Sequence, residues 1–201
     1  MSTTEIRIAG FGGQGVILSA MVIGKAACIY QPGYATLTQN FGPEARGSAC
    51  SAQLILSDQP VLYPYVVQPD ILVVLSQDAY RLFTPELKPG GVLVVEQDLV
   101  RLTGPHDGLR VYAVPATRLA EELGRRMVLN IVMVGYFGAV TGLVSPDALR
   151  RAVADSVPAA SAELNLRAFD RGFEAGLERT LAAGLETDAW AGVETSLDRA
   201  G

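Results

Sequence analysis

The chain has few of the groups that usually make an active site. It carries one histidine and two cysteines in 201 residues, and the cysteines, Cys28 and Cys50, form no CxxC pair. Two thiols cannot build a four-cysteine iron–sulfur or zinc site, so no metal ligand set is expected on this chain, and both read as buried thiols in a reducing compartment. His106 falls in the turn-like TGPHDG and reads as an exposed loop residue. A G-x-S-x-G elbow, an HExxH helix and a Walker lysine are all missing, so no residue is assigned a catalytic role.

Positive charge is also short. Lys and Arg total 16 against 21 Asp and Glu, a net charge of −5, and no basic run is present, which argues against a nucleic-acid footprint. Three of those negative units sit in residues 185–201, where Glu186, Asp188, Glu194 and Asp198 face only Arg199.

Long apolar runs are scarce. The nearest to a membrane span is 127–144, and Asn130, Thr141 and the glycines at 135, 138 and 142 interrupt it, so it reads as a helix buried in protein. The apolar run at 6–9 is too short to be a signal sequence, which makes the cytoplasm the expected compartment.

What the chain does have is apolar bulk, 49% of residues, enough for one well-buried core with part of the surface left for an interface. One domain over 1–184 is expected, followed by an acidic tail at 185–201 that is either frayed or laid on a partner subunit. Residues 6–9 read as a first strand and 13–29 as an apolar helix; 34–39 and 49–57 read as strands, the latter alternating Cys50, Ala52, Leu54, Leu56 against polar neighbours. Further strands are expected at 70–76, 92–95 and 109–114, with helices at 77–87 and 115–124 between and after them. The last third carries three helices at 127–143, 146–156 and 158–183, the last with a stripe of Leu166, Phe169, Phe173, Leu177 and Leu181. This order predicts an α/β, Rossmann-like three-layer sandwich with a mostly parallel sheet and a helical C-terminal third.

Two stretches carry the functional signal. Residues 10–15, GFGGQG, place Gly10, Gly12 and Gly15 as G-x-G-x-x-G between strand and helix, with Gly13 and Gln14 inside the corner. The N–H groups and positive dipole end of the helix start there would attract a phosphate or carboxylate. A dinucleotide cofactor would also want an acid some twenty residues on, yet 34–39 holds none and Glu44 follows Pro43. NAD binding, a corner that only packs helix on strand, another anionic ligand, and a corner pressed against another subunit's active site all remain readings of these residues. In the second stretch, 38–58, Asn40, Glu44, Arg46 and Ser48 crowd between two strands. If the strands at 6–9 and 34–39 neighbour each other in a parallel sheet, the loops that follow them, at 10–15 and 40–48, form one crevice, where Arg46 either clamps an anion or pairs with Glu44 or a neighbouring chain. Asn130, alone in an apolar helix, reads as a satisfied capping or packing group.

The blocks IRIAGFGGQGVILSA and TQNFGPEARGSACSAQLILSD, followed by PDILVVLS and LNIVMVGYFGAV, resemble the γ subunit of 2-oxoacid:acceptor (ferredoxin) oxidoreductases, the pyruvate/2-oxoglutarate ferredoxin oxidoreductase family. The resemblance implies a subunit, inactive alone, of a complex that oxidatively decarboxylates a 2-oxoacid to its acyl-CoA. Thiamine diphosphate and Mg would lie on companion α and β subunits, and iron–sulfur clusters on a ferredoxin-like subunit that passes electrons to ferredoxin or a similar acceptor. This chain would bind none of these cofactors alone but would help form the region where coenzyme A arrives. The positions carried over as cofactor-binding are Gly10, Gly12, Gly13, Gln14, Gly15, Asn40 and Arg46. The GPEARG block points first to 2-oxoglutarate, then to pyruvate, branched-chain and aryl 2-oxoacids. Ser48 stands where the family usually has a second glycine after the arginine. The rival to this reading is a stand-alone Rossmann-like nucleotide-binding protein.

Overall fold

The computed structural model describes residues 3–41 and 49–182. Its elements run β1 (Thr4–Phe11), α1 (Val16–Ile29), β2 (Tyr34–Phe41), β3 (Ala49–Ser57), β4 (Ile71–Val74), α2 (Gln77–Phe83), β5 (Val92–Glu96), β6 (Arg110–Val114), α3 (Ala116–Glu122), α4 (Leu129–Thr141), α5 (Pro146–Ser156) and α6 (Ala159–Ala182). The expected tail at 185–201 lies outside the described residues.

The described strands form one six-stranded sheet in the order β2-β3-β1-β4-β5-β6. Pairings β1–β4, β4–β5 and β5–β6 are parallel, while β3 is antiparallel to both β1 and β2. Five strands therefore point one way and β3 alone opposes them. This corrects the expectation that the first two strands are parallel neighbours. The connection from β2 to β3 is short enough for an antiparallel return but too short for a parallel crossover. The consequence for the site survives the correction: Phe41 and Gly10 both pair in register with Cys50, so the β2–β3 connection and the turn after β1 leave the sheet at one end.

The two faces of the sheet are covered unequally. Ile6 and Ile8 of β1, Ala52, Leu54 and Leu56 of β3, and Val73 of β4 point to the face under α1, α3, α4, α5 and α6. Leu72, Val74, Leu93 and Val95 point to the other, where Ala79 and Tyr80 of α2 meet Leu87 and Val100. β4 and β5 are buried along their length because both faces are covered, which explains their unbroken apolar sequences.

Within the larger layer α4 and α6 approach closely. A Cβ on Gly172 would run into the Val132 carbonyl, one on Gly135 into the Phe169 carbonyl, and one on Gly176 would come 2.5 Å from the Ala139 Cβ. The buried stripe of α6 is thus Asn165, Ala168, Phe169, Gly172, Gly176 and Thr180. The predicted stripe is corrected at its end: Leu177 is 36% and Leu181 72% exposed. Small residues face α4 because they let the backbones touch, a signal that counting large apolar residues misses. α4 itself is buried from Leu129 to Gly138, and no described helix is long and apolar enough to cross a membrane.

Candidate functional site at the glycine turn

The turn joining β1 to α1 is held by its glutamine. Gln14 Oε1 accepts from the Phe11 N–H at 2.6 Å, and Gln14 Nε2 donates to the Leu75 carbonyl at 2.8 Å. That side chain ties the corner to the end of β4 and is spent on structure. Gly10 is buried because a Cβ there would meet Gln14 Oε1 and lie 3.1 Å from Leu75 Cβ. Gly15, at φ 76°, is the N-cap of α1, and a Cβ on it would run into the Asn130 side chain. Gly12 is partly exposed, and Gly13, at φ 96°, is exposed with open space where a Cβ would stand. The seven predicted site residues therefore separate: Gly10, Gln14 and Gly15 build the corner, while Gly12 and Gly13 form its rim. Asn40 is exposed near the end of β2, opposite Ser51. Arg46 lies outside the described residues.

The helix start behind that rim is open. α1 has no side-chain cap and no acid in its first turn, so its leading N–H groups are left for solvent or a ligand. Beside it lies a cleft of about 290 Å3 whose lining includes Gly13, Gly15, Arg125, Asn130, Ser161 and Asn165. Sequence reasoning missed this cleft as a unit, because its walls come from three separated segments, of which it named only Gly13, Gly15 and Asn130. A larger hollow of about 500 Å3 lies along the other half of α1, against β2, with Met21, Cys28, Ile29 and Leu37 in its mostly apolar lining.

Three other expectations change. Cys28 is exposed, not buried, because α1 is apolar nearly all round and its sequence does not show which side meets the sheet. Cys50 is buried beside Gly10 in register, and burial pushes its thiol pKa up, which leaves it protonated rather than nucleophilic. His106 is partly buried, with Nε2 at 2.8 Å from the Tyr80 hydroxyl, so it is partnered within the fold. Asn130 is 4% exposed but its side-chain amide has no hydrogen-bond partner among the described residues, contrary to the satisfied role expected. Among the described residues no group of three or more His, Cys, Asp or Glu side chains could hold a metal ion.

A dinucleotide reading fits the topology poorly. On the side of β1 away from its parallel neighbour β4 lies the antiparallel β3, which starts at this end, so an acid at the end of a parallel strand on that side has no counterpart here.

Comparison with known proteins identifies the family. The family profile for pyruvate ferredoxin/flavodoxin oxidoreductase matches residues 5–175. The 2-oxoglutarate synthase subunit KorC of Methanocaldococcus jannaschii is 44% identical over 176 residues, covering 87% of this chain and 94% of that one. The same subunit of Methanothermobacter thermautotrophicus is 47% identical over 180 residues, covering 87% and 95%. The crystal structure of a keto/oxoacid ferredoxin oxidoreductase γ subunit from Geobacter sulfurreducens superposes with TM-score 0.77 at 40% identity, covering 87% of this chain and 99% of that one. With this likeness along nearly its whole described length, the chain belongs to the pyruvate ferredoxin/flavodoxin oxidoreductase family, as a γ subunit of its 2-oxoacid oxidoreductase complexes.

Proposed function

We propose that this chain is the γ subunit of a cytoplasmic complex that oxidatively decarboxylates 2-oxoglutarate to its coenzyme A thioester and hands the electrons to ferredoxin or a similar acceptor. The choice of 2-oxoglutarate follows the relatives named 2-oxoglutarate synthase subunit. Thiamine diphosphate, Mg and the iron–sulfur clusters belong to companion subunits, since two cysteines cannot ligate a four-thiolate cluster. When bound there, thiamine diphosphate supplies the stabilised carbanion for decarboxylation.

This chain's own part is to shape the place where coenzyme A arrives. Gly12 and Gly13 leave the backbone bare for close approach, Gly10, Gln14 and Gly15 hold that backbone in position, Asn40 flanks it from the end of β2, and Arg46 is taken as a further contact from the family resemblance alone. The observation that supports this is the shared sheet end, where the register Phe41–Cys50–Gly10 brings the two sequence blocks side by side. The domain spans 1–184, and the acidic tail at 185–201 lies on a partner subunit.

Native mass spectrometry of the complex purified through this chain is the test. The expected result is co-purification with thiamine-binding and iron–sulfur subunits, with coenzyme A-dependent turnover fastest on 2-oxoglutarate. A chain that purifies alone and binds NAD tightly would favour the stand-alone nucleotide-binding reading.

A further inference from the structure

Three helices begin at one cleft. Gly13 and Gly15 bring the start of α1, Asn130 lies in the first turn of α4, and Ser161 lies in that of α6; all line the same hollow. The first turns of all three helices are free of acids, in a chain whose net charge is −5. The macrodipoles of α1, α4 and α6 thus present their positive ends together, with no carboxylate in those turns to offset them.

The second observation is independent of the dipoles. Asn130 is 4% exposed, its backbone carbonyl accepts from Ser19 Oγ at 3.4 Å, and its side-chain amide has no partner among the described residues. That amide lines the cleft over Gly15. At the mouth, Arg125 is exposed and makes no ion pair among the described residues. Asn165 Nδ2 donates to the Ser161 carbonyl at 2.8 Å, within α6.

We infer that this cleft is an anion site for a phosphate or diphosphate group. The N–H groups at the start of α1 and the Asn130 amide would donate to its oxygens, and Arg125 would close over it from the rim. Backbone donors, a neutral amide and one guanidinium make a set suited to phosphate oxygens and unsuited to a cation. The group could be carried by coenzyme A or arrive as a free phosphate; the site's chemistry is the same, and the inference goes beyond the coenzyme A reading without resting on it.

The test uses the full-length chain with sodium diphosphate, inorganic phosphate and coenzyme A as separate probes, followed by calorimetry and phosphorus NMR. Saturable diphosphate binding is expected, weakened at least tenfold by Arg125→Glu, whose exposed position leaves the melting temperature unchanged, and also by Asn130→Asp. Displacement of diphosphate by coenzyme A would support the site and identify its source. Diphosphate binding that both substitutions weaken but coenzyme A does not displace would support the site while counting against the coenzyme A reading. Absence of saturable binding by both phosphate and diphosphate, or binding that Arg125→Glu leaves unchanged, would overturn the inference.

Discussion

The helices of this protein begin in two different ways. α2 starts at Ser76, whose Oγ accepts from the Ala79 N–H at 3.2 Å, with Asp78 in the first turn. α5 starts at Ser145, whose Oγ accepts from the Ala148 N–H at 3.2 Å, followed by Pro146 and Asp147. α3 has no cap of its own, yet the fully buried Glu96 reaches it from the end of β5 and accepts from the Thr117 N–H at 2.8 Å. α1 and α4 have no side-chain cap, and neither they nor α6 have an acid in the first turn. The chain gives α2, α3 and α5 a side-chain acceptor and leaves α1 and α4, which meet at one cleft, without one. The difference points to a ligand supplying what the sequence withholds.

Substitutions can break that contrast from either side. The largest effect is expected at Gly15→Val, which forces a β-branched residue into φ 76° and drives its Cβ into Asn130. A loss of about 3 kcal/mol or more, seen as a lower denaturant midpoint, would follow from strain and overpacking together. On the capped side, Glu96→Ala removes the acceptor for the Leu99 and Thr117 N–H groups and should cost about 2–3 kcal/mol. Ser145→Ala should cost about 1 kcal/mol, and neither change should alter diphosphate affinity. If Ser145→Ala weakened anion binding as much as changes at the cleft, the division between the two kinds of helix start would be wrong.

A smaller effect appears in alkali. Burial, the main cause, pushes the Tyr136 phenol up to about 12, and its hydroxyl donates to the Ala113 carbonyl at 3.1 Å. The unfolded phenol titrates near ~10, so the stabilisation it brings is complete below that pH and lost as pH rises toward the folded value. Tyr136→Phe should cost about 1 kcal/mol at neutral pH and flatten the fall in stability above pH ~10, measured as denaturant midpoints across the alkaline range.

Much of the fold was legible because periodicity records burial. β3 was read with the bounds it has, its alternation reporting one face under α1, and the helix expected at 146–156 is α5. Strand order was not legible, since which strands neighbour each other depends on tertiary pairing that no local pattern records. Nor was the α6 stripe, where Gly172 and Gly176 matter for lacking a side chain. At the site, the glycine spacing announced the turn and its uncapped helix. It could not show that Gln14 is consumed in holding the corner, or that Arg125 and Asn130, more than a hundred residues away, complete one wall.

The measurement that bears most directly on the central claim is the apparent KM for coenzyme A of the assembled complex carrying Gly12→Val. Gly12 stands on the open rim of the turn, so a branched side chain there obstructs an approaching ligand. The account predicts a rise of about tenfold or more, equivalent to at least ~1.4 kcal/mol, with the KM for the 2-oxoacid and the subunit composition unchanged. An unaltered KM for coenzyme A in an intact complex would contradict it and leave the glycine turn a matter of packing alone.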